Sequence, residues 1–217
     1  MISRQSASSN PMLSIIIPVH NEADVIPTLL HRLGLVCRQL SGPVELLFVD
    51  DGSRDNSVAQ LLQARGRQPG IRVVQLSRNF GKEAAVTAGL ENAQGDAVVL
   101  MDADLQDPPE LIPEMVKEWQ KGADVVLMKR RSRSGESWLK RTTARIFYRL
   151  INHISDASMP VDTGDFRLMS RRTVAALSRL PERNRYLKGM FAWVGMPTVT
   201  LEFDRDPRAA GKTKWNY

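Results

Sequence analysis

Short apolar runs alternate with longer amphipathic stretches through the first 130 residues. The runs at 13–19 (LSIIIPV), 44–49 (VELLFV), 71–76 (IRVVQL), 97–101 (AVVLM) and 124–128 (DVVLM) are rich in Val, Ile and Leu. They show no polar alternation, which predicts strands covered on both faces. Between them, apolar residues recur at helical spacing over 23–40, 56–65, 82–93 and 109–120. Pro108-Pro109 followed by Glu110 suits the start of the last helix, with proline in the first turn and an acid beside it. The order βαβαβαβαβ predicts an α/β fold with a mostly parallel, doubly wound sheet flanked by helices.

Beyond Arg130 the alternation stops. Over 137–154 a helical wheel puts Leu139, Ile146, Phe147, Leu150 and Ile154 on one side and Arg141, Arg145 and Arg149 on the other. A loop of small and acidic residues (155–165), a strand at 166–169, a helix over 171–180 and a strand at 198–203 complete the reading. No repeat or low-complexity tract interrupts it.

Composition narrows the class. The chain has 217 residues, 42% hydrophobic and 25% charged, as in ordinary globular proteins. Its apolar runs are too short to span a bilayer. The single cysteine, Cys37, excludes an intramolecular disulfide, fits a reducing compartment and reads as a small core residue. Residues 1–12 lack the apolar core of a signal peptide and are expected to form a flexible tail. The formal charge of +6 is concentrated: residues 129–149 hold eight cations against one anion, Glu136. Any polyanion would have to meet the protein there. Without interleaved surface aromatics or a recognition motif, nucleic acid is not the expected partner.

Open α/β sheets bind ligands at the carboxyl ends of their strands. Three polar clusters fall there: Pro18-Val19-His20-Asn21-Glu22, Asp50-Asp51-Gly52-Ser53 and Asp102-Ala103-Asp104-Leu105-Gln106. So many carboxylates on one edge need cations or hydrogen-bond donors. Neither G-x-G-x-x-G nor a P-loop is present, and no Cys/His cluster has zinc spacing. Asp102 and Asp104, with the Gln106 carbonyl, offer hard oxygen ligands for Mg2+ or Mn2+, which would offset charge on a departing diphosphate. Asp51-Gly52-Ser53 reads as a turn and helix cap. Phe191 and Trp193 read as core residues.

The blocks SIIIPVHNE, LLFVDDGSRDNS, LSRNFGKEAAVTAGL and VLMDADLQDPPELIPEM resemble the family 2 glycosyltransferases of GT-A fold. Together with TGDFRLMSR, ERNRYLKGMFAWVG and RAAGKTKW they are most similar to the polyprenyl-phosphate subgroup, which includes dolichyl-phosphate mannose synthases and bactoprenol glucosyl transferases. The resemblance implies a catalytic domain over 13–217. It implies that Pro18, His20, Asn21, Glu22 and Asp50 line the nucleoside. Asp102, Ala103, Asp104 and Gln106 would take metal and diphosphate, with Arg130, Arg208 and Lys214 closing on the phosphates. Asp165, or Asp162 three residues earlier, would be the acceptor-side carboxylate. Gly-Asp-Phe-Arg stands where mannose synthases tend to have Ser-Gly-Phe-Arg, which favours the bacterial glucosyl branch.

The implied reaction is inverting, metal-dependent transfer of glucose from UDP-glucose to undecaprenyl phosphate. The alternatives are mannose from GDP-mannose, a sugar hydroxyl as acceptor, or a protein that binds nucleotide sugar without transfer. The segment 137–154 would lie on an anionic membrane, with Arg141, Arg145 and Arg149 on lipid phosphates. The expected location is the cytoplasmic face of the plasma membrane. Relatives continue into transmembrane helices after the G-x-[ST]-K motif, so the chain reads as part of a membrane-anchored protein. Oligomeric state is left open, a homo-oligomer included.

Overall fold

The computed structural model describes residues 12–68, 70–131, 163–180 and 187–204. Seven strands form one sheet: β1 (Leu13–Val19), β2 (Val44–Asp50), β3 (Ile71–Gln75), β4 (Ala97–Leu100), β5 (Val125–Arg130), β6 (Thr163–Ser170) and β7 (Thr198–Phe203). Their spatial order is β3-β2-β1-β4-β6-β5-β7. β6 is antiparallel to both its neighbours, and the other six run the same way.

The unbroken apolar runs serve two cores. Ile15 and Ile17 pack on one face with α1 (Ile26–Cys37), α2 (Ser57–Arg67) and α4 (Ile112–Gln120), through Leu29, Leu33, Leu61 and Met115. Ile16 faces the other way, into α3 (Lys82–Asn92), α5 (Arg171–Ser178) and α6 (Leu187–Trp193), through Val86, Val174 and Met190. Successive strand residues point to opposite faces, so both parities must be apolar. On the second face α3 comes very close: a Cβ on Gly89 would lie 2.5 Å from Ile16 Cγ2.

The expected α/β architecture is therefore present, with four differences of detail. The strand expected at 166–169 begins at Thr163, because β5 on one side resumes pairing at Lys129↔Thr163, beyond the polar Gly164-Asp165. The first helix starts at Ile26, behind a turn at residues 23–25 whose approach is held by the Glu22 and Ala23 N–H groups on Ser57 Oγ (2.9 Å) and Asp55 Oδ2 (3.1 Å). The short helix α6 carries no clear periodic signal. Trp193, expected in the core, is 64% exposed at the end of α6, just ahead of the left-handed turn at Gly195 (φ +61°). The amphipathic segment 137–154 lies outside the described residues.

Candidate active site

Strand polarity assembles the site. β1, β2 and β4 deliver their following loops to one edge, while β6, running backwards, delivers its start there. The last β4–β6 rung is Leu100↔Arg167, so Asp102 and Asp165 each lie two residues beyond it. Where β5 advances two residues, from Leu127 to Lys129, β6 uses four, from Arg167 to Thr163. Such irregularities re-aim side chains, and this one contains Asp165.

The loops after β1 and β2 are stitched together by hydrogen bonds. Asn21, at φ +53°, donates its N–H to Ser53 Oγ (2.8 Å) and accepts from the Arg54 N–H through Oδ1 (2.7 Å). Asparagine tolerates that backbone better than most residues. His20 Nδ1 lies 2.7 Å from the Asp51 carbonyl, which assigns the proton to Nδ1 and leaves Nε2 to accept from Asn21 Nδ2 (3.1 Å), while Asn79 Nδ2 lies beside the ring, 3.0 Å from Nε2 and 3.3 Å from Nδ1. Asp50 is buried and accepts from the Ser53 N–H (3.2 Å). Asp51 is buried too, and its carboxylate accepts from the N–H groups of Phe80 (2.7 Å) and Gly81 (2.9 Å). Gly52 has φ +68°, and a Cβ there would lie 2.5 Å from the Arg78 carbonyl carbon. The DDGS turn thus presses directly on the loop that opens α3.

The acidic loop after β4 is equally constrained. Leu105 sits at φ +59°, a costly backbone for a leucine, while its side chain is fully buried in the core. Asp104 is 8% exposed and accepts from the Gln106 N–H through Oδ1 (3.1 Å). Asp102 remains partly open to solvent. Its Oδ1 lies 2.6 Å from Lys82 Nζ, and the same ammonium lies 2.6 Å from Asp165 Oδ2. Burial works against that ammonium, but the two carboxylates outweigh it and hold its pKa above the ordinary lysine value. Arg130 Nη2 is 3.7 Å from Asp107 Oδ1 and borders Gly164. Lys82 and Arg130 are the cations that this acidic edge requires.

Under Asp165 lies Arg167, 3% exposed, which donates to the carbonyls of Gly164 (3.0 Å) and Asp165 (3.3 Å). Its guanidinium carbon stands 4.0 Å from the centre of the Phe191 ring. Burial pulls its pKa down to about 10, opposed by Asp165 and Glu83, so it stays charged at neutral pH.

Among the sequence-predicted residues, His20, Asn21, Glu22, Asp50, Asp102, Asp104, Gln106, Arg130 and Asp165 share this edge, with Pro18 on the last turn of β1 and Ala103 buried beneath it. Asp162, Arg141, Arg145, Arg149, Arg208 and Lys214 lie outside the described residues. Lys82, Asp107 and Arg167 were not predicted. Lys82 does leave a signal: a cation in a helix's first turn opposes the helix dipole and calls for a nearby anion.

This sheet order, with an acidic loop after the fourth strand and a carboxylate returned by an antiparallel strand, is the GT-A arrangement. Residues 14–177 match the family "Glycosyl transferase family 2", and the chain belongs to it. It is 50% identical, over 94% of its length, to an uncharacterized glycosyltransferase of Synechocystis sp., and spans 64% of that protein. It is 43% identical, again over 94% of its length, to a prophage bactoprenol glucosyl transferase homolog of Escherichia coli, spanning 67% of it. The chain thus covers somewhat under or about two thirds of the relatives it matches. Among solved structures, glucosyl-3-phosphoglycerate synthase from Mycobacterium tuberculosis, in complex with Mn2+, UDP and phosphoglyceric acid, superposes with a TM-score of 0.66 at 20% identity. That likeness covers 97% of this chain and 78% of that one, and is a likeness of fold.

Proposed function

We propose that the chain carries the catalytic domain of an inverting glycosyltransferase that moves glucose from UDP-glucose to undecaprenyl phosphate. One observation carries the reading: the carboxylates Asp102 and Asp165, from opposite ends of the sequence motifs, meet on one ammonium at the carboxyl edge of the sheet. The 43% identity to bactoprenol glucosyl transferases supports the acceptor and the sugar.

Donor binding falls to the β1 and β2 loops, with Pro18, His20, Asn21, Glu22 and Asp50 around the nucleoside. The diphosphate lies over Asp102, Ala103, Asp104 and Gln106, with Arg130 near it and Arg208 and Lys214 closing from the C-terminal motif. Among the described residues, no group of three His, Cys, Asp or Glu side chains could hold a metal. Mg2+ and Mn2+ are commonly held by one or two carboxylates plus substrate phosphates, so Asp102 and Asp104, with Gln106, fit such an ion. When bound, it supplies Lewis-acid stabilisation to the departing diphosphate. The manganese and UDP of the M. tuberculosis synthase support that assignment.

On the acceptor side, a phosphate monoester has a second pKa near 6 and is anionic at neutral pH. Little proton abstraction is needed, so positioning dominates. Asp165, or Asp162 upstream, aligns the acceptor, and Arg167 holds the Asp165 backbone from below. In-line attack at the anomeric carbon converts an α-linked donor to a β-linked product. No helix among the described residues is long and apolar enough to cross a membrane. The segment with Arg141, Arg145 and Arg149 would bring the site to an anionic lipid surface on the cytoplasmic side.

Calorimetry with UDP and GDP, each with manganese and with a chelator, tests the reading. Manganese-dependent preference for UDP, followed by transfer from UDP-glucose to undecaprenyl phosphate, is expected. Preference for GDP would assign a mannosyltransferase, and binding of neither would remove the donor site.

A further inference from the structure

We infer that Lys82 is a positioning residue that couples the two halves of the reaction, by competing with the divalent ion for Asp102 and turning to the acceptor side when the ion is bound. The inference rests on the metal reading of Asp102 and Asp104 given above.

Lys82 is the first residue of α3, and its base is rigidly placed. The N–H groups of Phe80 and Gly81 are held by the buried Asp51 carboxylate, and the Gly52 turn abuts the backbone of Arg78 and Asn79. From that support a flexible four-carbon stem carries the ammonium to the gap between β4 and β6. There it stands 2.6 Å from Asp102 Oδ1 and 2.6 Å from Asp165 Oδ2. All three side chains are partly open, with 31%, 31% and 24% of their surface exposed, so the ammonium can shift without unpacking the core.

An ion drawn to Asp102 and Asp104 would meet a carboxylate already neutralised by Lys82. Two cations on one carboxylate repel at this range. Binding of the ion therefore costs the Lys82–Asp102 contact, and the ammonium retains Asp165 as its partner. Beside Asp165 it becomes the positive charge that an anionic acceptor phosphate needs when it approaches two carboxylates. Linkage is reciprocal: an acceptor phosphate that draws Lys82 off Asp102 must tighten the ion, and with it the donor diphosphate, by the same factor. Donor and acceptor loading are thereby joined through one side chain.

The test is a double-mutant cycle on the 217-residue chain, read by calorimetric titration of manganese at saturating UDP. Lys82→Met should tighten manganese about fivefold or more, within the usual span of such couplings, while UDP binding in chelator is unchanged. Asp165→Asn leaves Lys82 wholly to Asp102 and should weaken manganese. In the Lys82→Met background the same Asp165→Asn change should do nothing, because its effect passes through the lysine. Far-UV circular dichroism confirms that each variant is folded. Weaker UDP binding by Lys82→Met, with and without manganese, would make Lys82 a plain diphosphate ligand and overturn the inference. An equal Asp165→Asn effect in both backgrounds would overturn it as well. Absence of manganese-dependent binding in the wild-type chain would instead defeat the metal reading itself, and the coupling with it.

Discussion

Glu45 sits far from the chemistry, at the opposite end of the sheet, and is 1% exposed. Burial disfavours its charge, but the Ser14 hydroxyl, the Gln94 N–H and Arg72 outweigh that cost and hold its pKa below the ordinary 4.5. A carboxylate with a depressed folded-state pKa contributes its stability in full above its unfolded value and loses it as pH falls through the folded one. Glu45→Gln should therefore lower unfolding free energy by about 1–3 kcal/mol at pH 7, the range for charged hydrogen bonds and buried unmatched groups. The difference from wild type should shrink as pH drops below 4.5, which urea titrations at pH 7 and pH 4 would show. Residue chemistry of this kind is hard to read in advance. Glu45 lies inside an apolar run, and its partners come from β1, β3 and the turn after α3. The placing of Asp102 and Asp104 at the carboxyl edge was legible, because the apolar run that ends just ahead of them is a local strand signal that needs no long-range contact. Lys82 was not, since its two partners lie 20 and 83 residues away.

α5 begins at a serine that carries several duties. Ser170 Oγ accepts from the Thr173 N–H (3.2 Å) and donates to Asp124 Oδ1 (2.8 Å), tying the end of β6 to the start of β5. Ser170→Ala should cost about 1 kcal/mol as a lost cap, and lower the urea midpoint with the m-value unchanged. Elements of this kind were mostly readable. The first five strands and the five helices expected among the described residues all fall within a few residues of their expected places, because apolar runs and helical spacing are local signals. The direction of β6 was not readable. Its four apolar and polar residues at 166–169 say that a strand exists, while polarity is decided by rungs to Ala97–Leu100 on one side and β5 on the other. α6 escaped for another reason: it is seven residues long, and Met190 is its one fully packed apolar side chain among those described.

At the scale of the molecule, helices on both faces leave the carboxyl edge of the sheet as the place where loops from four strands meet. A ligand that binds only the folded state stabilises the whole domain. With UDP, in saturating manganese, at about a hundred times its dissociation constant, the nucleotide alone is expected to add about 2.7 kcal/mol of stability. For a domain of this size that raises the melting temperature by about 5–10 °C. Asp104→Asn should abolish the shift and leave the ligand-free melting temperature within about 2 °C, as followed by thermal unfolding. The architecture itself was legible in the βαβ alternation, and the edge on which the chemistry falls followed from it. The pairing of Asp102 with Asp165 did not, because it depends on one reversed strand. That reversal has a consequence for how such a protein can diversify. The gap between the two carboxylates is measured off by a rung of the sheet, as by a fixed gauge, and not by the length of any loop. Insertions in the loops around the rim leave the gauge untouched, whereas a one-residue slip in β6 would turn Asp165 to the other face and part it from Lys82 and Asp102 at once.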